Sequence, residues 1–187
     1  MKTPEILSRK KIFDAFFALE EIKLKNENGG EDLTRHIIIP KKAVAVLLYR
    51  RDNRKVVFSK QYRIAVDKWL LEIPAGVMDA KHEKPDETAC RECLEETGYE
   101  VNEPEFISSF YPSPGNSAEN IRLYFAEVAG NDKIARGGGL DDENEHIKVV
   151  EMDFNEALRL VDAGEITDGK TVMALLWLHR KLGQAIK

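Results

Sequence analysis

Three glutamates, Glu92, Glu95 and Glu96, fall within five residues of the stretch RECLEETG, and Gly98 ends the run as a helix is ended. On a helix, Glu92 lies one turn from both other carboxylates, and like-charged pairs at that spacing cost roughly 0.2–0.5 kcal/mol each. Glu95 and Glu96 would also occupy the last turn, where the helix dipole disfavours anions. A sequence that breaks two local rules at one point is often serving function there. Residues four apart share a helix face, so Glu92 and Glu96 point the same way, with Glu95 beside them. Hard divalent cations bind carboxylates together with phosphate oxygens and water. A cation held here would cancel the repulsion.

The composition limits what such a site serves. The chain has 187 residues, 43% of them hydrophobic, enough for one medium-sized domain with a small appendage. Its net charge of −5 argues against a nucleic-acid partner, since such surfaces are usually basic. A phosphorylated substrate stays admissible, because a metal ion can supply local positive charge. No apolar run approaches the roughly 20 residues that span a bilayer. The first residues, MKTPEILSRKKIFDAFFALEE, lack the unbroken apolar segment of a signal peptide. Cys90 and Cys93 are the only cysteines, too few for a disulfide framework, and they read as two small packers on a helix face. A soluble cytoplasmic protein without a membrane partner is expected.

The elements that must position the glutamates follow from local signals. Pro85 suits a first helical turn, Asp86 and Glu87 its positive end, and Gly98 the residue just past its last turn, which predicts a helix over 85–97. Asn28-Gly29-Gly30 is a hairpin signal between two β-like runs. AVAVLLYR is continuously apolar up to its final arginine and predicts a buried central strand, with KVVFSKQYR beyond the turn RDNR. WLLEIPAG, EFISSFY, IRLYFAEV and HIKVVEM complete the strands. DFNEALRLVDAG and DGKTVMALLWLHRKL read as amphipathic helices, the second capped by Asp168. Strand groups followed by helices favour an α+β fold with a mixed sheet between helical layers. The expected division is an N-terminal β-hairpin region over 1–40 and a main domain over 41–187.

GEITDGKT, Gly164 to Thr171, matches the phosphate-loop pattern G-x4-G-K-[ST]. A helix precedes it where a strand is required, and Glu165 and Asp168 would place negative charge where phosphates belong. It reads as a turn between helices.

In its surroundings the opening stretch becomes GVMDAKHEKPDETACRECLEETGY, Gly76 to Tyr99, which resembles the Nudix box G-x5-E-x7-R-E-U-x-E-E-x-G-U. Gly76, Glu83, Arg91, Glu92, Glu95, Glu96 and Gly98 fill the motif. Six residues, where the motif has five, separate Gly76 from Glu83, a one-residue insertion before the helix. The resemblance implies a Nudix-type α/β/α sandwich with a small N-terminal antiparallel sheet. It further implies Mg²⁺, with Mn²⁺ as an alternative, held by Glu92, Glu96 and the carbonyl of Ala75, with Glu95 assisting. Gly76, Glu83, Arg91 and Gly98 are the structural positions, Glu83 and Arg91 as an ion pair orienting the helix.

QYR, LEIPAG, SPG and the acidic loop GGGLDDENEHIKVVEM look like the branch that hydrolyses ADP-ribose and related nucleoside diphosphate sugars. Pro114, 16 residues after Gly98, is shared by its ADP-ribose and GDP-mannose hydrolases. The implied activity is hydrolysis of the diphosphate, for example ADP-ribose to AMP and ribose 5-phosphate, with GDP-mannose as the alternative substrate. In that branch the acidic loop supplies a general base, here Glu143 or Glu145, and Gly137-Gly138-Gly139 reads as its hinge. Arg63 is the candidate for diphosphate oxygens, Glu72 for sugar or metal-bound water, and Arg35 for substrate across a homodimer with exchanged N-terminal strands. Phe13, Phe16 and Phe17 are either a base-stacking group or packing. A nucleotide-sugar sensor on the same fold would be expected to lose box carboxylates, and all are retained.

Overall fold

The computed structural model describes residues 3–78, 83–139 and 146–184. The chain divides into two compact units, one formed by Met1–Lys42 with Tyr111–Asn120, the other by Ala43–Phe110 with Ile121–Lys187. The first is a three-stranded antiparallel sheet of β1 (Ile6–Asp14), β2 (Ala18–Leu24) and β3 (Leu33–Ile39), in that order. Residues 111–120 join it through Ile38, whose N–H donates to the Asn116 carbonyl and whose own carbonyl accepts from Ala118 N–H, both at 2.9 Å. Strand β1 has no counterpart in the sequence reading. All of its residues are exposed, so no apolar alternation marks it.

The second unit is built on β4 (Ala43–Arg50), β5 (Lys55–Arg63), β6 (Lys68–Glu72), β7 (Ala75–Val77), β8 (Glu105–Phe110), β9 (Ile121–Val128) and β10 (Lys148–Asp153). The main order is β10-β5-β4-β9-β8, with β6 against β5 and β7 against β4. Strands β4 and β9 are parallel and the other pairs antiparallel, which makes the sheet mixed as expected. Buried on both faces, β4 needs no polar alternation. Its Val44, Val46 and Leu48 pack with Ala89 and Cys93 of α1 (Pro85–Thr97). Ala45 and Leu47 pack with Phe154 and Ala157 of α2 (Phe154–Asp162) and with Ala174, Leu175 and Leu178 of α3 (Gly169–Gln184). The result is an α/β/α sandwich. Both cysteines are free and burial pushes their thiols up, as suits packers.

Helix α1 has the limits that its terminal residues predict. Lys84 N–H donates to the Glu87 carboxylate at 2.9 Å, half of a capping box. Gly98 closes the other end at φ +77°, a left-handed conformation that glycine adopts freely. A Cβ there would lie 2.1 Å from the Ala135 carbonyl oxygen. Tyr99, next in sequence, is buried and donates to Glu151 at 2.7 Å, and Arg50 donates to the same carboxylate at 2.6 Å. Burial and the Glu151 bond push the Tyr99 phenol up to about 12. It therefore remains a donor that ties the end of α1 to β10.

Candidate active site

Glu92 and Glu96 project from the last two turns of α1 and are only 8% and 4% exposed. Burying one carboxylate costs several kcal/mol unless it is compensated, and two of them one turn apart also repel. Part of the compensation comes from the protein. Ser59 on β5 donates to Glu96 at 2.5 Å, and Arg91 Nη1 lies 2.9 Å from Glu92. Arg91 collects two further carboxylates, Glu95 at 2.8 Å and Glu83 at 3.0 Å, and its hydrogen bond holds Glu83 below the usual carboxylate range. Thr88 also donates to Glu83, at 2.9 Å. Glu83 is thus clamped to the helix despite the extra residue before it.

Gly76 explains the other end of the motif. Strand β7 runs along β4, with Gly76 opposite Val44, and brings its backbone against the Glu92 carboxyl group. A Cβ on Gly76 would lie 2.0 Å from the Glu92 carboxyl carbon. The bare backbone is the space in which that carboxylate stands.

Among the described residues, no three His, Cys, Asp or Glu side chains converge as a closed metal cage. Two buried carboxylates one turn apart still fit a hard divalent cation that keeps water and phosphate oxygens in its other positions. The donor set is all oxygen, which suits Mg²⁺-like ions rather than zinc.

A second network flanks the carboxylates. Glu72 ends β6, opposite Ser59, and accepts a bidentate pair from Arg63 at 2.7 and 2.8 Å. It also accepts from Lys170 near the start of α3. Lys170 bonds Asp168 at 3.1 Å, and Asp168 caps α3 by accepting from Thr171 N–H at 3.0 Å. The Thr171 hydroxyl donates to Asp168 at 2.6 Å and accepts from Ile73 N–H at 2.9 Å. GEITDGKT leads from α2 into α3, its last three residues opening α3, and its lysine holds a carboxylate of the main sheet. Arg63 and Glu72 are therefore engaged with each other through the Nε and Nη2 edge of the guanidinium.

Burial alone would raise the Glu72 carboxyl, but its bonds with Arg63 and Lys170 outweigh that and hold it below its ordinary value. A depressed carboxylate contributes stability above its unfolded value, about pH 4.3, and loses that contribution as pH falls through the folded value. Glu72→Gln leaves two cations without their shared counter-charge and is expected to cost about 2 kcal/mol at pH 7. Urea midpoints should approach the wild-type values as pH falls below about 4.3 and on through the lower value of the folded carboxylate. A constant gap across pH would show that charge is not the cause.

The sequence candidates do not all fall in one place. Glu83, Arg91, Glu92, Glu95 and Gly76 lie in one cluster with Glu96, while Arg63 and Glu72 form the flanking pair. Arg35 belongs to the N-terminal unit, exposed on β3, where it donates to the Thr34 carbonyl at 3.0 Å. Glu143 and Glu145 lie outside the described residues. Phe13, Phe16 and Phe17 remain exposed, with Phe13 and Phe17 rings 5.6 Å apart.

The reading of Gly137-Gly138-Gly139 as a free hinge is corrected. Gly138 N–H donates to the Glu96 carbonyl at 2.8 Å and Gly139 N–H to the Glu95 carbonyl at 3.1 Å. The last carbonyls of a helix lack partners within it, and these amides supply them. At Gly137, φ +68°, a Cβ would stand 2.5 Å from the Thr97 backbone. The run is glycine because it lies against the helix end.

Ser59 and Lys170 were not among the sequence candidates. Ser59 is the lone hydroxyl in the apolar run VVFS, a weak signal. Lys170 was visible only as part of a rejected motif.

The NUDIX domain family matches residues 39–175, and the chain belongs to that family. A GDP-mannose pyrophosphatase from Citrobacter koseri is 35% identical over 185 residues, covering 93% of this chain and 94% of its own. One from Cronobacter sakazakii is 36% identical over 184 residues, covering 94% of each. The crystal structure of an ADP compounds hydrolase superposes with a TM-score of 0.81 over 99% of this chain and 97% of its own. At 20% identity that likeness is one of fold. Hydrolases of this family generally use divalent metal cations.

Proposed function

We propose that this protein hydrolyses the diphosphate linkage of nucleoside diphosphate sugars, with Mg²⁺ as its cation and Mn²⁺ as a substitute. The observation that carries the reading is the pair of buried carboxylates, Glu92 and Glu96, on the helix of a family motif. Relatives named GDP-mannose pyrophosphatase, alike over nearly the whole chain, make GDP-mannose the first substrate to test, with GMP and mannose 1-phosphate as products. ADP-ribose is the second.

Glu92, Glu96 and the Ala75 carbonyl would hold the cation, which supplies Lewis-acid neutralisation of the diphosphate when bound. Ser59 and Arg91 keep the carboxylates oriented before substrate arrives, so little reorganisation is needed. Glu95 stays paired with Arg91 and fixes the guanidinium in place. Arg63, aligned by Glu72, offers its remaining edge to phosphate oxygens. Glu143 or Glu145 accepts the proton of the attacking water.

The protein works as a homodimer in the cytoplasm, where Cys90 and Cys93 stay reduced. The exposed Ile6, Leu7, Ile12 and Phe13 of β1 support exchange of N-terminal strands, and Arg35 would reach substrate across that interface. The expected solution mass is twice 21.3 kDa, measurable by light scattering.

Turnover of GDP-mannose, ADP-ribose, ADP-glucose and a dinucleoside polyphosphate, each with Mg²⁺ and with EDTA, tests the activity. GDP-mannose cleavage that stops in EDTA is the expected result. Binding of these compounds without any turnover would identify a sensor and end the hydrolase reading.

A further inference from the structure

Two backbone bonds hold Ile73 and Pro74, the junction between β6 and β7. The Pro74 carbonyl accepts from Val46 N–H at 2.9 Å, which ties the junction to the central strand. The Ile73 N–H is answered from another layer: it donates to the Thr171 hydroxyl on α3 at 2.9 Å. Ile73 and Thr171 are both buried, and 98 residues separate them. A buried backbone N–H needs a partner, and Pro74 has no N–H of its own to share the load. The Thr171 hydroxyl gives its proton to Asp168 at 2.6 Å, which leaves an oxygen lone pair facing Ile73. Asp168 is fixed in turn by Thr171 N–H at 3.0 Å and Lys170 at 3.1 Å.

Two groups of the site stand on either side of this junction. Glu72, one residue before Ile73, carries the carboxylate that aligns Arg63. Ala75, two residues after it, carries the carbonyl assigned to the cation, and Gly76 beyond it lies against the Glu92 carboxyl group. We propose that Thr171 is a positioning residue, which sets the Glu72 side chain and the Ala75 carbonyl together through the Ile73 amide. Lys170 and Thr171, adjacent on α3, thus hold the adjacent residues Glu72 and Ile73, one by its side chain and the other by its backbone. A junction released from α3 can shift only by moving β7, whose backbone bounds the space of Glu92. That Glu72 and Ala75 meet substrate and cation rests on the hydrolase reading; the hold of Thr171 on the junction does not.

Thr171→Val keeps the side-chain shape and removes the hydroxyl, whereas Thr171→Ser keeps the hydroxyl. Leu178→Ala, at a buried position about two turns further along α3, removes packing alone. On the full chain, Mn²⁺ affinity without substrate is read by electron paramagnetic resonance, KM and kcat on GDP-mannose by turnover, and exchange of the Ile73 amide by NMR. Thr171→Val is expected to weaken Mn²⁺ binding and to raise KM by about tenfold each, the scale of one lost hydrogen bond, with kcat at saturation changing least. Thr171→Ser should restore both, and Leu178→Ala should lower the melting temperature without moving either. If Thr171→Val loses stability alone, as Leu178→Ala does, or if serine fails to restore affinity, the proposal is overturned. In the wild type the Ile73 amide should be among the slowly exchanging sheet amides. Fast exchange there overturns the proposal even where Thr171→Val does not fold. A wild type that neither binds Mn²⁺ nor turns over a nucleotide sugar ends the hydrolase reading, and Ile73 exchange in wild type and Thr171→Val then decides the hold by itself.

Discussion

Glu96→Gln is expected to lower kcat on the preferred nucleotide sugar by about 10²–10³-fold, equivalent to about 3–4 kcal/mol of transition-state stabilisation. Glutamine preserves the side-chain volume and can still accept the 2.5 Å bond from Ser59. What is lost is one negative charge from a pair of buried carboxylates. For the isolated fold, that loss removes repulsion with Glu92, so the melting temperature should hold or rise. For catalysis, it removes half of the charge that would hold a divalent cation. Reduced turnover together with undiminished stability separates a functional group from a structural one. The stability curve and kcat at saturating Mg²⁺ are the two measurements. Unchanged kcat would falsify the assignment of α1 as the cation-binding helix.

Gly76→Ala is expected to lower kcat/KM by about 10²-fold and stability by about 1–3 kcal/mol, the range for overpacking a close-packed site. The added methyl would stand 2.0 Å from the Glu92 carboxyl carbon and 2.1 and 2.3 Å from its oxygens. No real contact is that short, so either the carboxylate swings away or β7 leaves its register with β4. Both outcomes displace the group that the cation needs. Glu92→Asp withdraws the carboxylate by one methylene, so Gly76→Ala should destabilise that background less. A double-mutant cycle in urea measures the difference. Fully additive effects would place the strain elsewhere.

The parts of this protein that its sequence determined are those governed by neighbouring residues. Helix α1 runs from Pro85 to Thr97 because proline, the acidic first turn and Gly98 act within a few residues of the ends they mark. The β2–β3 turn at Asn28-Gly29-Gly30 and the buried β4 are local in the same sense. The box spacing identified which glutamates share a helix face, since that depends only on helical periodicity.

Tertiary structure decided what those glutamates meet. Ser59 reaches Glu96 from 37 residues away, and Lys170 reaches Glu72 across 98. Nothing near Ser59 or Lys170 marks those partners. They are chosen when β5, β6 and the turn before α3 come together in the packed sheet. Gly137-Gly138-Gly139 reads locally as freedom and is tertiary constraint, because its amides donate to the last carbonyls of α1, a helix about 40 residues earlier. Strand β1 escaped notice because an exposed strand carries no apolar alternation, and only its pairing with β2 gives it structure. Side-chain chemistry is written residue by residue, whereas the company each residue keeps depends on where the chain returns.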